Sequence, residues 1–163
     1  MDVFDIIMAT LASEFSDLTD VEQATRVGLR LLVAALLGGL LGYERETHGK
    51  AAGVRTHMLV CTGAALFVLG SELVGGGDDA MSRVVQGIVA GIGFLGVGTI
   101  IKGSNMNEVK GLTTAAGVWM TAAVGVCVGL GLEATAVLAT LLMLFILHVL
   151  PYFLEGMDRK GGE

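Results

Sequence analysis

The sequence has few charged residues and almost no proline. Of its 163 residues, 16% are charged and 53% are hydrophobic, whereas a soluble domain carries about 25% charged residues. The one proline, Pro151, leaves the long apolar stretches before it unbroken. These shortages exclude an ordinary soluble domain and predict an integral membrane protein.

Cysteine is also scarce, and the sequence motifs of common enzymes are absent. Cys61 and Cys127 both lie in apolar runs, which predicts buried thiols rather than a disulfide framework. The chain has no serine nucleophile elbow, no His-Glu-x-x-His and no glycine-rich phosphate loop. We therefore expect a protein that is not an enzyme, with no cofactor and no nucleic-acid partner.

The apolar runs predict five membrane-spanning helices, because one span requires roughly 20 residues. The predicted spans are 24–43, 57–75, 84–101, 112–130 and 132–153. Apolar residues at helical spacing ahead of them predict an amphipathic helix on the membrane surface. The predicted fold is thus an all-α membrane protein of about five transmembrane helices preceded by an amphipathic N-terminal helix. The boundaries are 1–19 for that helix, 20–155 for the membrane domain and 156–163 for a cytoplasmic tail.

Basic residues predict the orientation in the membrane. Seven of them fall in the predicted inner loops and tail, against Arg83 in the outer loops. The seven are Arg45, Lys50, Arg55, Lys102, Lys110, Arg159 and Lys160. The positive-inside rule then places the N-terminus outside and the C-terminus in the cytoplasm.

Ionisable residues inside a bilayer mark either a site or an ion pair, because burying a lone charge is costly. Arg30 lies fourteen residues before Glu44, which corresponds to about 21 Å along a helix. Glu72 lies sixteen residues after Thr56, which corresponds to about 24 Å. The similar depth predicts an Arg30–Glu72 ion pair, with a role in fixing two helices favoured over a role in transport. The polar residues assigned to the membrane interior are Arg30, Glu72, Arg83 and Gln86.

The segment 42–57 is a dense cluster of charge between long apolar runs. Its mixed charges could form a salt-bridge network or present a cationic rim to phosphate-bearing partners. For Lys50, and for Lys110 in the other inner loop, ordinary solvation of a loop residue is a sufficient explanation. The candidate ligand or partner site consists of Glu44, Arg45, Arg55, Thr56, His57, Lys102, Thr113 and Thr114. The histidines share no metal-ligand spacing, so the sequence assigns no metal site.

A weak internal repeat aligns residues 30–56 with residues 83–114, each unit being a helix, an inner loop and a second helix. Glycines four residues apart, such as Gly87 and Gly91, allow close contact between helices, either inside one bundle or across a homodimer. We expect the chain to form a homo-oligomer, most simply a dimer.

Four segments, taken together, resemble the MgtC/SapB family of bacterial inner-membrane proteins. They are 42–46, 48–57, 83–102 and 110–116, which cover most of residues 26–130. The resemblance implies a membrane domain of about five helices that supports survival when magnesium is scarce or the surroundings are acidic. It also implies an association with virulence and with restraint of the membrane ATP synthase. Larger members continue into a soluble cytoplasmic domain, and we expect this chain to be a short form that lacks it.

We expect the first of two functions and keep the second as the alternative. The first is a non-enzymatic regulatory protein of the lipid bilayer, whose inner face engages another membrane protein or a small anionic ligand. The second is a small transporter or channel for Mg²⁺ or H⁺, in which the intramembrane polar residues line a path.

Overall fold

The computed structural model describes residues 2–16, 18–102 and 109–151. Its helices are α1 (Val3–Glu14), α2 (Val21–Thr47), α3 (Val54–Leu73), α4 (Asp78–Gly98), α5 (Leu112–Gly129) and α6 (Glu133–Leu144). α6 continues into a π-helical turn at Phe145–Val149. The short strands β1 (Ile101–Lys102) and β2 (Val109–Lys110) pair antiparallel between α4 and α5.

Helices α2, α3, α4 and α5 are each long and apolar enough to cross a membrane, and Glu133–Val149 forms a shorter apolar helix. The predicted class, an all-α membrane protein, is confirmed, and the chain crosses the membrane several times. The predicted thiols are confirmed as free cysteines: Cys61 is buried and Cys127 partly buried.

Local interactions fix where the first spanning helices begin. The Asp20 carboxylate accepts a hydrogen bond from the Glu22 backbone N–H at 3.2 Å and so caps α2. At the start of α3 the Glu46 carboxylate, which comes from the end of α2, accepts from the Val54 N–H at 2.9 Å. This second contact satisfies one of the unpaired donors of a helix start and turns α3 back along α2.

Helix α5 lies at the centre of the bundle and packs against α2, α3, α4 and α6. The close approach of neighbouring helices depends on glycine. A side chain at Gly38 of α2 would place its Cβ 2.6 Å from the His57 carbonyl oxygen, and one at Gly129 of α5 would come within 2.8 Å of the Ala65 carbonyl. Small residues therefore bring the backbones of α2 and α5 directly onto α3.

Most helix ends lie one to six residues from the ends of the predicted spans. α4 ends at Gly98 rather than 101, because the chain enters the β1–β2 pair. Gly111, after β2, has φ +94° and packs so tightly on the Thr99 carbonyl that a Cβ could not fit. The last helix begins at Glu133 as expected, whereas the end of the predicted span, from residue 152, lies outside the described residues.

Helix α1 has no buried residue. Its apolar side chains are exposed, Phe4 and Leu11 among them, which is the arrangement expected of a helix whose apolar face lies in a membrane surface.

Candidate functional site

Arg30 holds three parts of the bundle together at one end. Its guanidinium donates to the Glu72 carboxylate of α3 at 2.6 Å and to the Gly129 carbonyl at the end of α5 at 2.9 Å. Glu133, at the start of α6, lies 3.8 Å away. The Arg30 side chain is only 12% exposed, so we name this the Arg30 end of the bundle.

The ion pair predicted from the shared depth of Arg30 and Glu72 is therefore present. The second carboxylate, Glu133, and the carbonyl acceptor were not foreseen. Room for the guanidinium comes from the α5–α6 turn, where Gly131 has φ +76° and any side chain would collide with Arg30. The arrangement surrounds the cation with two carboxylates and a carbonyl oxygen, which offset the cost of burying a charge.

The remaining intramembrane polar residues assigned from the sequence lie on α4. Gln86 donates to the Ser82 hydroxyl, one turn earlier on the same helix, at 3.2 Å, and it is exposed. Arg83 is exposed as well. Since α4 packs on α3 and α5, neither side chain joins the Arg30 cluster through a hydrogen bond or ion pair in the described part of the chain.

A second polar cluster lies near the other end of α2. The adjacent residues Glu44 and Arg45 form a bidentate ion pair. Arg45 Nη2 donates to Glu44 Oε1 at 2.5 Å, and Arg45 Nε donates to Glu44 Oε2. Both residues are buried, with exposures of 8% and 3%. A carboxylate and a guanidinium that bond in this forked manner satisfy each other where water is scarce. We call this region the Glu44 end.

His57 is fully buried beside that pair, and the charges of Arg45 and Glu44 act on its ring. Its Nδ1 lies 2.7 Å from the Thr121 hydroxyl oxygen of α5, and that hydroxyl donates to the Gly117 carbonyl at 2.9 Å. Because the hydroxyl proton is committed to Gly117, the Thr121 oxygen accepts from His57 Nδ1–H. The other ring nitrogen, Nε2, has no hydrogen-bond partner among the described residues.

The other predicted site residues are divided between the surface and the interior. Arg55, Thr56 and Thr113 are exposed, whereas Thr114 is buried. Lys102 is in β1, and its side chain lies outside the described residues. The site predicted from these eight residues thus stays a prediction; of its described members, the structure brings Glu44, Arg45 and His57 together.

Sequence reasoning missed Thr121 and the contact of His48 with His148 at the Glu44 end. Thr121 could have been found as a lone hydroxyl in the apolar helix α5, where a polar group needs a partner. His48 and His148 are one hundred residues apart in the sequence, yet their rings lie in an edge-to-face contact with centroids 5.6 Å apart. No spacing rule connects them.

The fold and these clusters define a multi-pass membrane protein in which buried polar groups are paired at each end of a helical bundle. Comparison with known proteins identifies its family. The model of the MgtC family matches residues 31–155, so the chain belongs to the MgtC family.

Curated relatives agree with this assignment. Protein MgtC of Brucella abortus is 51% identical over 133 residues, which cover 79% of this chain and 54% of that protein. Protein MgtC of Salmonella typhimurium is 47% identical, covering 71% and 48%. Protein SrpB of Synechococcus elongatus is 42% identical, covering 74% and 72%. The chain thus spans about half the length of the MgtC proteins it matches, and no solved structure matches it significantly.

The Arg30 cluster generates a stability prediction. Arg30→Gln should lower the free energy of unfolding by about 1–3 kcal/mol, because the Glu72 carboxylate and the Gly129 carbonyl lose a charged donor and Glu133 loses a nearby cation. The matched control is Arg26→Gln on the same helix. Its pair with Glu22 is exposed and is worth at most about 1 kcal/mol. Unfolding in detergent micelles, followed by fluorescence of the single tryptophan, Trp119, measures both; equal losses would contradict this account of Arg30.

The His57–Thr121 contact generates a second prediction with an internal control. Thr121 and Thr140 are both buried, and each hydroxyl donates to the carbonyl four residues earlier. Only Thr121 also accepts from His57. Thr121→Val should therefore destabilise the protein by about 1–3 kcal/mol more than Thr140→Val, because it leaves a buried N–H unpaired. The same unfolding measurement checks this, and indistinguishable variants would refute the assigned contact.

Proposed function

We propose that the chain is a non-enzymatic regulatory protein of the bacterial inner membrane. Its N-terminus lies outside and its Glu44 end faces the cytoplasm. In this proposal it acts in adaptation to low magnesium or acid stress by engaging another membrane protein or a small anionic ligand. The physiological setting comes from the resemblance to the family, and the mode of action is argued from the two polar clusters.

The observation that carries the proposal is the apolar core between the clusters. It is built from Ala34, Leu41, Cys61, Ala65, Val124, Val128, Ala136 and Met143. Residues 31–43 of α2 and 58–71 of α3, which run between the two ends, contain no charged side chain. An ion crossing this layer would lose its hydration without gaining ligands. The arrangement therefore favours a regulator over a transporter.

The surface proposed to meet a partner is the exposed start of α3. Arg55 and Thr56 are exposed there, one turn or less from the buried His57. In the described part of the chain Arg55 makes no hydrogen bond or ion pair, so its guanidinium can meet a carboxylate or phosphate. The buried Glu44–Arg45 pair belongs to the same end of the bundle.

We expect Arg55→Ala to abolish the chain's ability to restore growth in low-magnesium medium to a strain without its own MgtC-family protein. Arg83→Ala is the matched control, because Arg83 is also exposed and lies near the opposite end of the bundle. It should restore growth as the wild type does. Membrane levels of both variants, measured by immunoblot, separate loss of function from loss of protein.

Purified protein in liposomes tests the transport alternative directly. A regulator should produce no Mg²⁺ or H⁺ flux above that of empty vesicles. Robust flux that Arg30→Gln abolishes, with the variant still folded, would overturn the regulatory proposal. So would full growth of the Arg55→Ala strain.

The proposal includes a homodimer formed through α4. An apolar groove of about 610 Å³ lies between α3 and α4, and Gly87 and Gly91 line it. A Cβ at either glycine would meet nothing within 4 Å. A helix of a second copy could approach this open, glycine-lined face closely.

For this dimer, Gly91→Leu should convert the detergent-solubilised protein from dimer to monomer. Gly93→Leu is the control: Gly93 also has open space around it, but it lies about 200° further round the helix and outside the groove. Size-exclusion chromatography with light scattering measures the mass. A monomeric wild type, or equal behaviour of the two variants, would rule out this interface.

A further inference from the structure

Three side chains that bind metal ions in other proteins meet at the Glu44 end. They are Glu44 in α2, His48 directly after it and His148 in the π-helical turn. One potential ligand atom from each lies within 4.8 Å of the other two. The cluster joins the end of the first spanning helix to the end of the last one, so only the folded chain assembles it.

His48 is held as metal-binding histidines commonly are. Its Nδ1 lies 2.8 Å from the Glu44 backbone carbonyl oxygen and donates to it, which leaves the lone pair on Nε2. A backbone carbonyl that takes one ring N–H fixes the tautomer and the direction of the ring. The same Nδ1 lies 3.3 Å from the Glu44 carboxylate.

The Glu44 carboxylate retains capacity for a further partner. Arg45 bonds to both of its oxygens, but a carboxylate has about four lone-pair positions. The Arg45 bonds also prevent the carboxylate from rotating away. Glu44 is therefore an anchored anionic ligand, at the boundary between the buried pair and the exposed histidines.

His148 lies in an irregular part of the last helix. Phe145–Val149 is π-helical, and such turns are rare and occur frequently at functional sites. A π turn contains more residues than an α turn, so it alters the directions of the side chains around it. The ring of His148, which lies in this turn, is inclined at 78° to the ring of His48.

We propose that Glu44, His48 and His148 form a binding site for a transition-metal ion of the Zn²⁺ type. Two imidazoles and one carboxylate suit such ions, whereas Mg²⁺ prefers oxygen ligands alone. Three protein ligands leave a fourth tetrahedral position for water or another small ligand. The ion would fasten the end of α6 to the end of α2. This inference does not depend on the partner interaction proposed above.

The test uses the whole chain, purified in detergent with its affinity tag removed, and titrated with CoCl₂ and ZnCl₂. Tetrahedral Co²⁺ absorbs visible light, so its spectrum reports both binding and geometry. We expect saturation at one Co²⁺ per chain, displacement by Zn²⁺ and no displacement by an excess of MgCl₂. His48→Gln and His148→Gln should each weaken binding by at least about tenfold.

Both histidines are exposed, so these substitutions leave the core intact, and circular dichroism verifies the fold. Glu22→Gln removes an exposed acid at the other end of α2 and should bind Co²⁺ as the wild type does. The proposal fails if the wild type shows no saturable Co²⁺ spectrum, if either histidine variant retains full affinity, or if MgCl₂ displaces Co²⁺.

Discussion

The buried charge of Arg30 is the constraint on which the bundle depends. A guanidinium this little exposed needs acceptors, and it finds them on α3, at the end of α5 and at the start of α6. Because one side chain must reach all three, their depths relative to α2 are fixed. The turn between α5 and α6 conforms to this need, since Gly131 leaves the space that Arg30 fills.

The same requirement governs the opposite end of the bundle with different groups. Glu44 and Arg45 satisfy each other, and His57 donates to Thr121 across the α3–α5 interface. Polar contacts therefore fix α3 at both ends, while glycines such as Gly38 set its distance from α2. Between these ends the helices contact each other through apolar side chains, and this apolar layer separates the two polar clusters.

Sequence reasoning succeeded where a linear rule applies. Helix rise converts residue number into depth, so Arg30 and Glu72 could be paired without coordinates. It failed where a contact depends on the direction in which side chains point around a helix. The meeting of His48 and His148 depends on how α6 packs on α2 and on a π-helical turn. Likewise, the β1–β2 pair beyond α4 depends on a tight contact of Gly111 with Thr99, which apolar run lengths do not record.

Glu44 connects the features of its end of the bundle, because its carboxylate is shared. It holds Arg45 and lies beside His48, while Arg45 and Glu44 together act on the buried His57. A cation drawn to this carboxylate from the histidine side would withdraw negative charge from Arg45. The guanidinium is almost fully buried, so the two oxygens of this carboxylate would have to serve both cations at once. Glu44 thus belongs both to the buried ion pair and to the cluster that contains the exposed histidines.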